Sequence, residues 1–480
     1  MSQFRLARIS LLLAAIGLNA APALFGIAHA QAAETAPAPA APKEDAVRPE
    51  MFKQLDPAVI KELMAAKNYT DVQNRIDQVQ ALPNLTPYET FVLNRMRISL
   101  ASATGNNAMA MTALEAVIES GRLQKAELGD FIQALANYYY NAKDYPKAIG
   151  WFERYQKETG DAVKVRPYII RAYYFSSDYA RAKKELLGDL QAQQAAGTQP
   201  PLESLQLLAN TAAKTKDPAT FLIAMEQLVK YYPSDEYWTD LLSRTQSKAG
   251  YSNRFQLDIY RLERVAVSKM SAEEYTEMAE LALAAAFPTE AKKAMDAGYA
   301  AGVLGTGPNA AKHKKVRDQA AKSAADDLKN IGAGEASATK SKDGNGLINL
   351  GYAYVTMEQF DKGIELIQKG IAKGGLKRPD DAKLRLGYSY AMAGRKDDAI
   401  KTLQTIQGND GLGDLARYWI LWINRPAAGA AAPAAAVPPH RQPAPSKRRG
   451  ASIKRVRFAG PLFFWRNRHD RLLWRRILER

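Results

Sequence analysis

The sequence predicts an all-α fold made of helix hairpins stacked side by side. Three observations lead there. A short pattern recurs, Asp144-Tyr145-Pro146-Lys147-Ala148 returning as Asp178-Tyr179-Ala180-Arg181-Ala182, and 34 residues separate Ala148 from Ala182. Apolar residues around the first copy keep helical spacing, with Ile132, Leu135, Ala136 and Tyr139 before it and Phe152 after it. Helix-start signals recur along the chain, and no stretch alternates apolar with polar residues as a half-buried strand would.

Residues 128–187 set the pattern. Ala136 and Ala148 are small where two helices of one hairpin would cross closely, and Tyr139, Tyr145 and Phe152 are large enough to fill the space around that crossing. The second copy offers Ile169, Ile170, Tyr173, Ala182 and Leu186. A single hairpin leaves one face uncovered, so neighbours must stack to bury it. The order Ile132, Leu135, Ala136, Tyr139, Ala148, Phe152 resembles the tetratricopeptide repeat, W-x2-L-G-x2-Y…A-x3-F, with Ile for Trp and Ala for Gly. The resemblance implies a right-handed superhelical solenoid of about nine degenerate helix-turn-helix units over roughly residues 51–425.

Residues 1–30 combine Arg5 and Arg8, an apolar run and Ala28-His29-Ala30, the three parts of a secretory signal peptide. Residues 31–50 follow as a flexible Ala/Pro-rich leader. Asp56-Pro57 then reads as an N-cap with Pro in the first turn, and Thr86-Pro87-Tyr88-Glu89 as a capping box. Asp217-Pro218 repeats the first device and Ser271-Ala272-Glu273-Glu274 the second. Second helices are marked by Val72 and Ile76, by Ala110 and Leu114, by Phe221, Met225 and Leu228, and by Phe255, Ile259 and Leu262. Met278, Ala279, Ala282, Ala291 and Met295 complete an N-terminal array over residues 51–304.

Residues 305–343 break the rhythm as a junction. A thin stripe at Val316, Ala320, Ala324 and Leu328 predicts a weak helix over 309–331, and the Gly, Ser and Lys of 332–346 predict a flexible loop. Residues 344–425 then carry the closest fit to the repeat, in Leu347, Leu350, Gly351, Tyr354, Phe360 and Ile367 and again in Leu386, Gly387, Tyr390, Ala399 and Leu403. Residues 412–424 are expected as a helix that caps the last unit. Residues 426–480 read as a disordered Pro/Ala linker and a basic tail.

Composition excludes several chemistries. The 480 residues include no Cys, so disulfides, thiolate metal sites and Cys nucleophiles are out. Of the four His, three lie in the leader or the tail, and His313 among Lys and Ala is expected at the surface. Net charge is +16, but residues 441–480 hold 13 Lys and Arg against Asp470 and Glu479. The body is therefore nearly balanced and does not present the basic footprint of a nucleic-acid-binding domain. Gly411-Leu412-Gly413-Asp414-Leu415-Ala416 matches a dinucleotide fingerprint, yet no strand precedes it, so it reads as a loop with Asp414 near a helix start. No catalytic residue, cofactor or metal site is expected.

The resemblance places a partner groove along the first helices. Its lining would be Gln133, Asn137, Tyr140 and Asn141, then Arg171, Tyr174 and Phe175, then Asn210 and Lys214, then Arg244 and Lys248. Asn137 matches the Asn with which some members hold a peptide backbone. Members that clamp a carboxylate have a Lys one turn earlier, where this chain has Gln133.

The reading is an exported, periplasmic scaffold that binds protein or peptide partners in cell-envelope assembly or secretion, not an enzyme. A second reading gives the tail Leu472, Leu473, Trp474, Ile477 and Leu478 among arginines, a short amphipathic helix for an anionic membrane surface. The same tail also fits a frameshifted end, since Arg replaces the Lys favoured by the body. A third, a helical peptidoglycan-acting enzyme, requires a globular domain for which the repeats leave no room. Mass spectrometry of the exported protein is expected to find Gln31 as its first residue; an intact Met1 contradicts the leader reading.

Overall fold

The structure is a computed structural model and describes residues 46–425. The expected signal peptide, most of the leader, the linker and the basic tail lie outside the described residues. All the regular structure within them is helical. The helices are α1 (Pro49–Gln54), α2 (Pro57–Ala65), α3 (Tyr69–Gln80), α4 (Pro87–Thr104), α5 (Asn107–Glu119), α6 (Lys125–Asn141) and α7 (Tyr145–Thr159). They continue with α8 (Ala162–Phe175), α9 (Tyr179–Ala195), α10 (Leu202–Lys214), α11 (Pro218–Tyr231), α12 (Asp235–Gln246), α13 (Gln256–Ala266), α14 (Ala272–Ala284) and α15 (Pro288–Ala300). The last six are α16 (Ala310–Lys340), α17 (Asn345–Thr356), α18 (Phe360–Lys373), α19 (Pro379–Met392), α20 (Lys396–Gln404) and α21 (Leu412–Ile423).

Successive helices pair as hairpins, from α2 with α3 to α14 with α15, then α17 with α18 and α19 with α20. One turn joins most of them. The second residue past the first helix takes a left-handed conformation, with φ of 59° at Lys67, 62° at Lys143, 64° at Ser177 and 53° at Lys216. The next backbone N–H then reaches back five residues, Asp144 to the Tyr139 carbonyl at 2.9 Å and Asp178 to the Tyr173 carbonyl at 2.8 Å. This is the Schellman device for closing a helix. The side chains of Asn68, Asn106, Asp144, Asp178 and Asp217 meanwhile cap the following helices. The Asp-Tyr-x-x-Ala repeat is thus the sequence trace of a turn and cap in one.

Packing inside the hairpins follows the expected register. Ala136, Ala148, Phe152 and Ala182 are fully buried, and Tyr139 and Tyr173 are nearly so. The closest crossing is between α17 and α18, where backbones meet over glycines. A Cβ on Gly363 would lie 2.6 Å from the Gly351 carbonyl oxygen, and one on Gly351 would lie 2.6 Å from the Gly363 carbonyl oxygen. The capping boxes of Thr86 with Glu89 and of Ser271 with Glu274 form as expected.

Three expectations are corrected, and a fourth feature is one that the repeat pattern did not show. Residues 332–346 are not a loop: α16 runs on to Lys340 and only residues 341–344 turn. Its alanines favour helix, and Ala338 packs against Gly346 and beside Leu347 and Leu350. His313 is buried, because Val316 and Ala320 dock α16 on α15 and the His313 ring accepts from Gly305 N–H at 3.3 Å. The leader is pinned from residue 46 onward: Val47 is buried, and Arg48 holds Glu89 through its side chain at 2.8 Å and its backbone N–H at 2.9 Å. Finally, units do not touch only their neighbours. One apolar cluster joins Leu228, Leu241 and Ile259 to Tyr388, Leu415 and Trp419, because α21 packs on α11 and α13 as well as on α19 and α20.

Gly363→Ala is expected to cost about 1–3 kcal/mol of stability, since the added methyl meets backbone and cannot be absorbed by a rotamer. Thermal unfolding measures it; an unchanged midpoint rules out the glycine crossing.

Candidate partner-binding face

The four groups of lining residues meet different fates. On α6, Gln133 is buried, Asn137 and Tyr140 are half-buried, and Asn141 is exposed. On α8, Arg171 and Tyr174 are half-buried, while Phe175 is 53% exposed. Arg171 lies over the Tyr168 ring and pairs with Glu203 of α10. Asn210 and Lys214 are exposed on α10. The structure therefore brings α6 and α8 together into one accessible face, which α10 continues. Gln133 is excluded from it by burial against the core.

The α12 group is different. Lys248 donates to Asp414 of α21 at 2.9 Å, and Thr245 shares a 2.9 Å hydrogen bond with Tyr418. The exposed Arg244 lies over the Phe221 ring. At Lys248 the place that the resemblance reserves for a partner is taken by α21, the last helix among the described residues. Further contacts hold it: Trp422 Nε1–H donates to the Val265 carbonyl at 3.0 Å, Arg417 donates to Glu226 at 3.0 Å, and Ser252 N–H donates to the Asp410 carbonyl at 2.9 Å. Asp414 is buried in the first turn of α21, as the loop reading of the glycine-rich motif requires, and no strand exists among the described residues to make it a dinucleotide site.

What the sequence did not single out is an unbroken run of rings across the accessible face. Tyr168, Tyr140, Tyr145, Phe175, Tyr174 and Tyr179 follow one another with centroid separations of 6.0, 5.6, 5.6, 5.6 and 5.5 Å. Tyr145 was expected inside the crossing; instead Phe152 takes that space and Tyr145 stays half-exposed. Tyr168 and Arg171 are three residues apart on one helix, a spacing that could have flagged Tyr168. Burial pushes the Tyr140 phenol up to about 12 and also raises Tyr174, so both stay neutral hydrogen-bonding hydroxyls at ordinary pH.

A buried ionic cluster lies at the junction of α13, α15 and α17. Arg261 holds Glu290 at 2.8 and 2.7 Å and Asp258 at 2.6 Å, and Tyr352 donates to Glu290 at 3.4 Å. Burial opposes the Arg261 charge, but the Glu290 and Asp258 carboxylates outweigh it and raise its pKa. These carboxylates are neutralised by a guanidinium and serve the packing. Among the described residues, no group of His, Asp or Glu is placed to hold a metal ion, and no helix is long and apolar enough to cross a membrane.

Trp419→Ala is expected to cost about 3–5 kcal/mol and to speed trypsin cleavage after Lys248, because α21 loses the buried ring that anchors it against Tyr388 of α19. Limited proteolysis that is unchanged by the substitution rules out the closure.

No family model and no curated protein matches the chain. Among solved structures it is similar to the TPR2AB domain of yeast Sti1 in its pHSP90 complex, at 15% identity and TM-score 0.22, covering 61% of this chain and 99% of that one. The P58(IPK) TPR domain matches at 13% and 0.20, covering 78% and 98%, and yeast Tom70 at 11% and 0.20, covering 78% and 94%. Likeness at these scores adds nothing to the geometry, so the assignment stands on the chain's own helix pairs. Hairpins closed by one recurrent turn, a 34-residue step between two of them and small residues at the crossings make the described residues an all-α array of stacked helix hairpins, with α21 packed back on α11 and α13.

Proposed function

We propose that the chain is an exported scaffold of the cell envelope, acting in assembly or secretion, that binds an extended segment of a partner protein across α6, α8 and α10. The observation that carries this is the run of rings flanked on α6 by Asn137 and Asn141 and on α8 by Arg171, which reaches Glu203 of α10, where Asn210 and Lys214 are exposed. Aromatic and Arg side chains supply most of the binding energy at protein interfaces, and Asn amides satisfy the backbone of an extended ligand. Lys248 takes no part, since it is engaged by Asp414 of α21, while Arg244 stays exposed beside Phe221. Nothing in the arrangement calls for catalysis: the buried carboxylates are paired, and the face carries no nucleophile beside a base. The leader supports a periplasmic setting, and the tail is not required for binding in this reading.

The test places a photo-crosslinking side chain at Asn137 or Asn210 of the full chain, and at Lys157 on the second-helix side as control. In periplasmic extract, the first two positions are expected to yield the same discrete adduct, lost on Tyr140→Ala with Phe175→Ala. Adducts of equal yield from Lys157 defeat the proposal.

A further inference from the structure

We infer that the ligand of the ring run is a proline-rich segment in the polyproline II conformation with acidic residues at its ends. The inference rests on the partner-binding reading above and narrows it to one chemistry.

Ring geometry is the first argument. Four of the five steps are steep, with interplanar angles of 89°, 76°, 75° and 65°, and only Tyr145 and Phe175 stack, at 25°. A sugar chain needs broad ring faces laid open in parallel. Rings set at steep angles present wedges instead, each bounded by one ring's face and the next ring's edge. A puckered pyrrolidine ring fits such a wedge, and aromatic-lined grooves are the surfaces that take polyproline II segments. The floor is rigid, because buried Phe152 stacks on Tyr168 at 5.5 Å and meets Tyr140 edge-on at 6.4 Å. A rigid site and a ligand already extended before binding together lose little conformational freedom.

Hydrogen bonding is the second argument. A polyproline II helix has no internal hydrogen bonds, so its carbonyls need donors. Proline offers no N–H in return, so the face need supply donors only. Asn137 and Asn141 lie one turn apart on α6 beside Tyr140, and both carry amide N–H groups.

Charge is the third. Arg171, Lys147 and Arg181 are met by Glu203, Asp144 and Asp178. Lys143, in the turn beside Tyr145, and Lys214 and Lys216, at the matching end of α10, are exposed, with no carboxylate at ion-pair distance among the described residues. The unpaired charge two residues from Tyr145 and at the end of α10 is therefore positive, which favours acidic ends on the ligand and disfavours basic ones.

The experiment titrates the full chain into fluorescein-labelled oligoproline carrying Glu at both ends. Controls are a Glu-ended Gly/Ser peptide of equal length and a Lys-ended oligoproline. Saturable binding is expected for the first alone, about tenfold weaker for Tyr145→Ala or Phe175→Ala and restored by Tyr145→Phe, with circular dichroism melts unchanged. Equal binding of the Gly/Ser control overturns the proline assignment, and equal binding of the Lys-ended probe overturns the acidic ends. If oligoproline fails while Asn137 still crosslinks a partner, the proline chemistry falls and the partner-binding face stands. If both fail, the face itself is misassigned.

Discussion

Every hairpin in this chain buries one face and leaves another bare, and the rest of the structure follows from covering the bare faces. Pairing requires that two helices approach closely, which places Ala148, Ala182, Gly351 and Gly363 at the crossings. Stacking covers the second face of each interior pair, as in other repeat arrays. The ends are the difficulty, since among the described residues the α19–α20 hairpin is followed by no further hairpin. Here α21 supplies the cover, burying Leu415, Tyr418 and Trp419 between α19, α20 and the middle of the chain. The array closes by the rule that makes it stack.

Closure has electrostatic consequences. Bringing α17 and α19 against α13 and α15 takes Arg261 and Glu290 out of water together. A buried ion pair is weak evidence of stability, because desolvation offsets much of the attraction. What it secures is register: a guanidinium that meets Glu290 through two nitrogens and Asp258 through a third fits one arrangement of helices. Arg385 adds a second cation near the same rings, lying over Phe287 and Tyr352 and donating to Asn349 at 2.6 Å. Burial and the Arg261 charge lower its pKa, a local cost accepted within the closed core.

The division of surfaces follows as well. Packing α21 on the middle of the chain engages Lys248, just past α12, and leaves residues of α6, α8 and α10 accessible. The rings that do not fit inside the α6–α7 and α8–α9 crossings come to lie together on that face. Ala148 and Phe152 fill the first crossing, so Tyr140, Tyr145 and Tyr168 must lie outside it, half-exposed and in contact with one another. The accessible ring face is in this sense a by-product of core packing.

The amino-acid order determined the elements and the hairpins, because their causes are local. N-caps such as Asp144 and Asp178 and small crossing residues such as Ala148 act within one or two turns, and a period near 34 residues makes them visible. The residues of α6 and α8 expected to line a groove came from the resemblance; of these the structure buries Gln133 and leaves Asn137, Tyr140, Asn141, Arg171, Tyr174 and Phe175 half-buried or exposed. Local signals misled where composition competed with contact: the glycines of 332–346 suggested a loop, but packing carried α16 through the first of them. His313 among lysines suggested exposure, yet docking on α15 buried it. Only the tertiary structure decided that Lys248 meets Asp414 and Thr245 meets Tyr418, pairs separated by 166 and 173 residues. No periodicity records such pairs, because they arise when an uncovered helix face finds the nearest apolar surface in space.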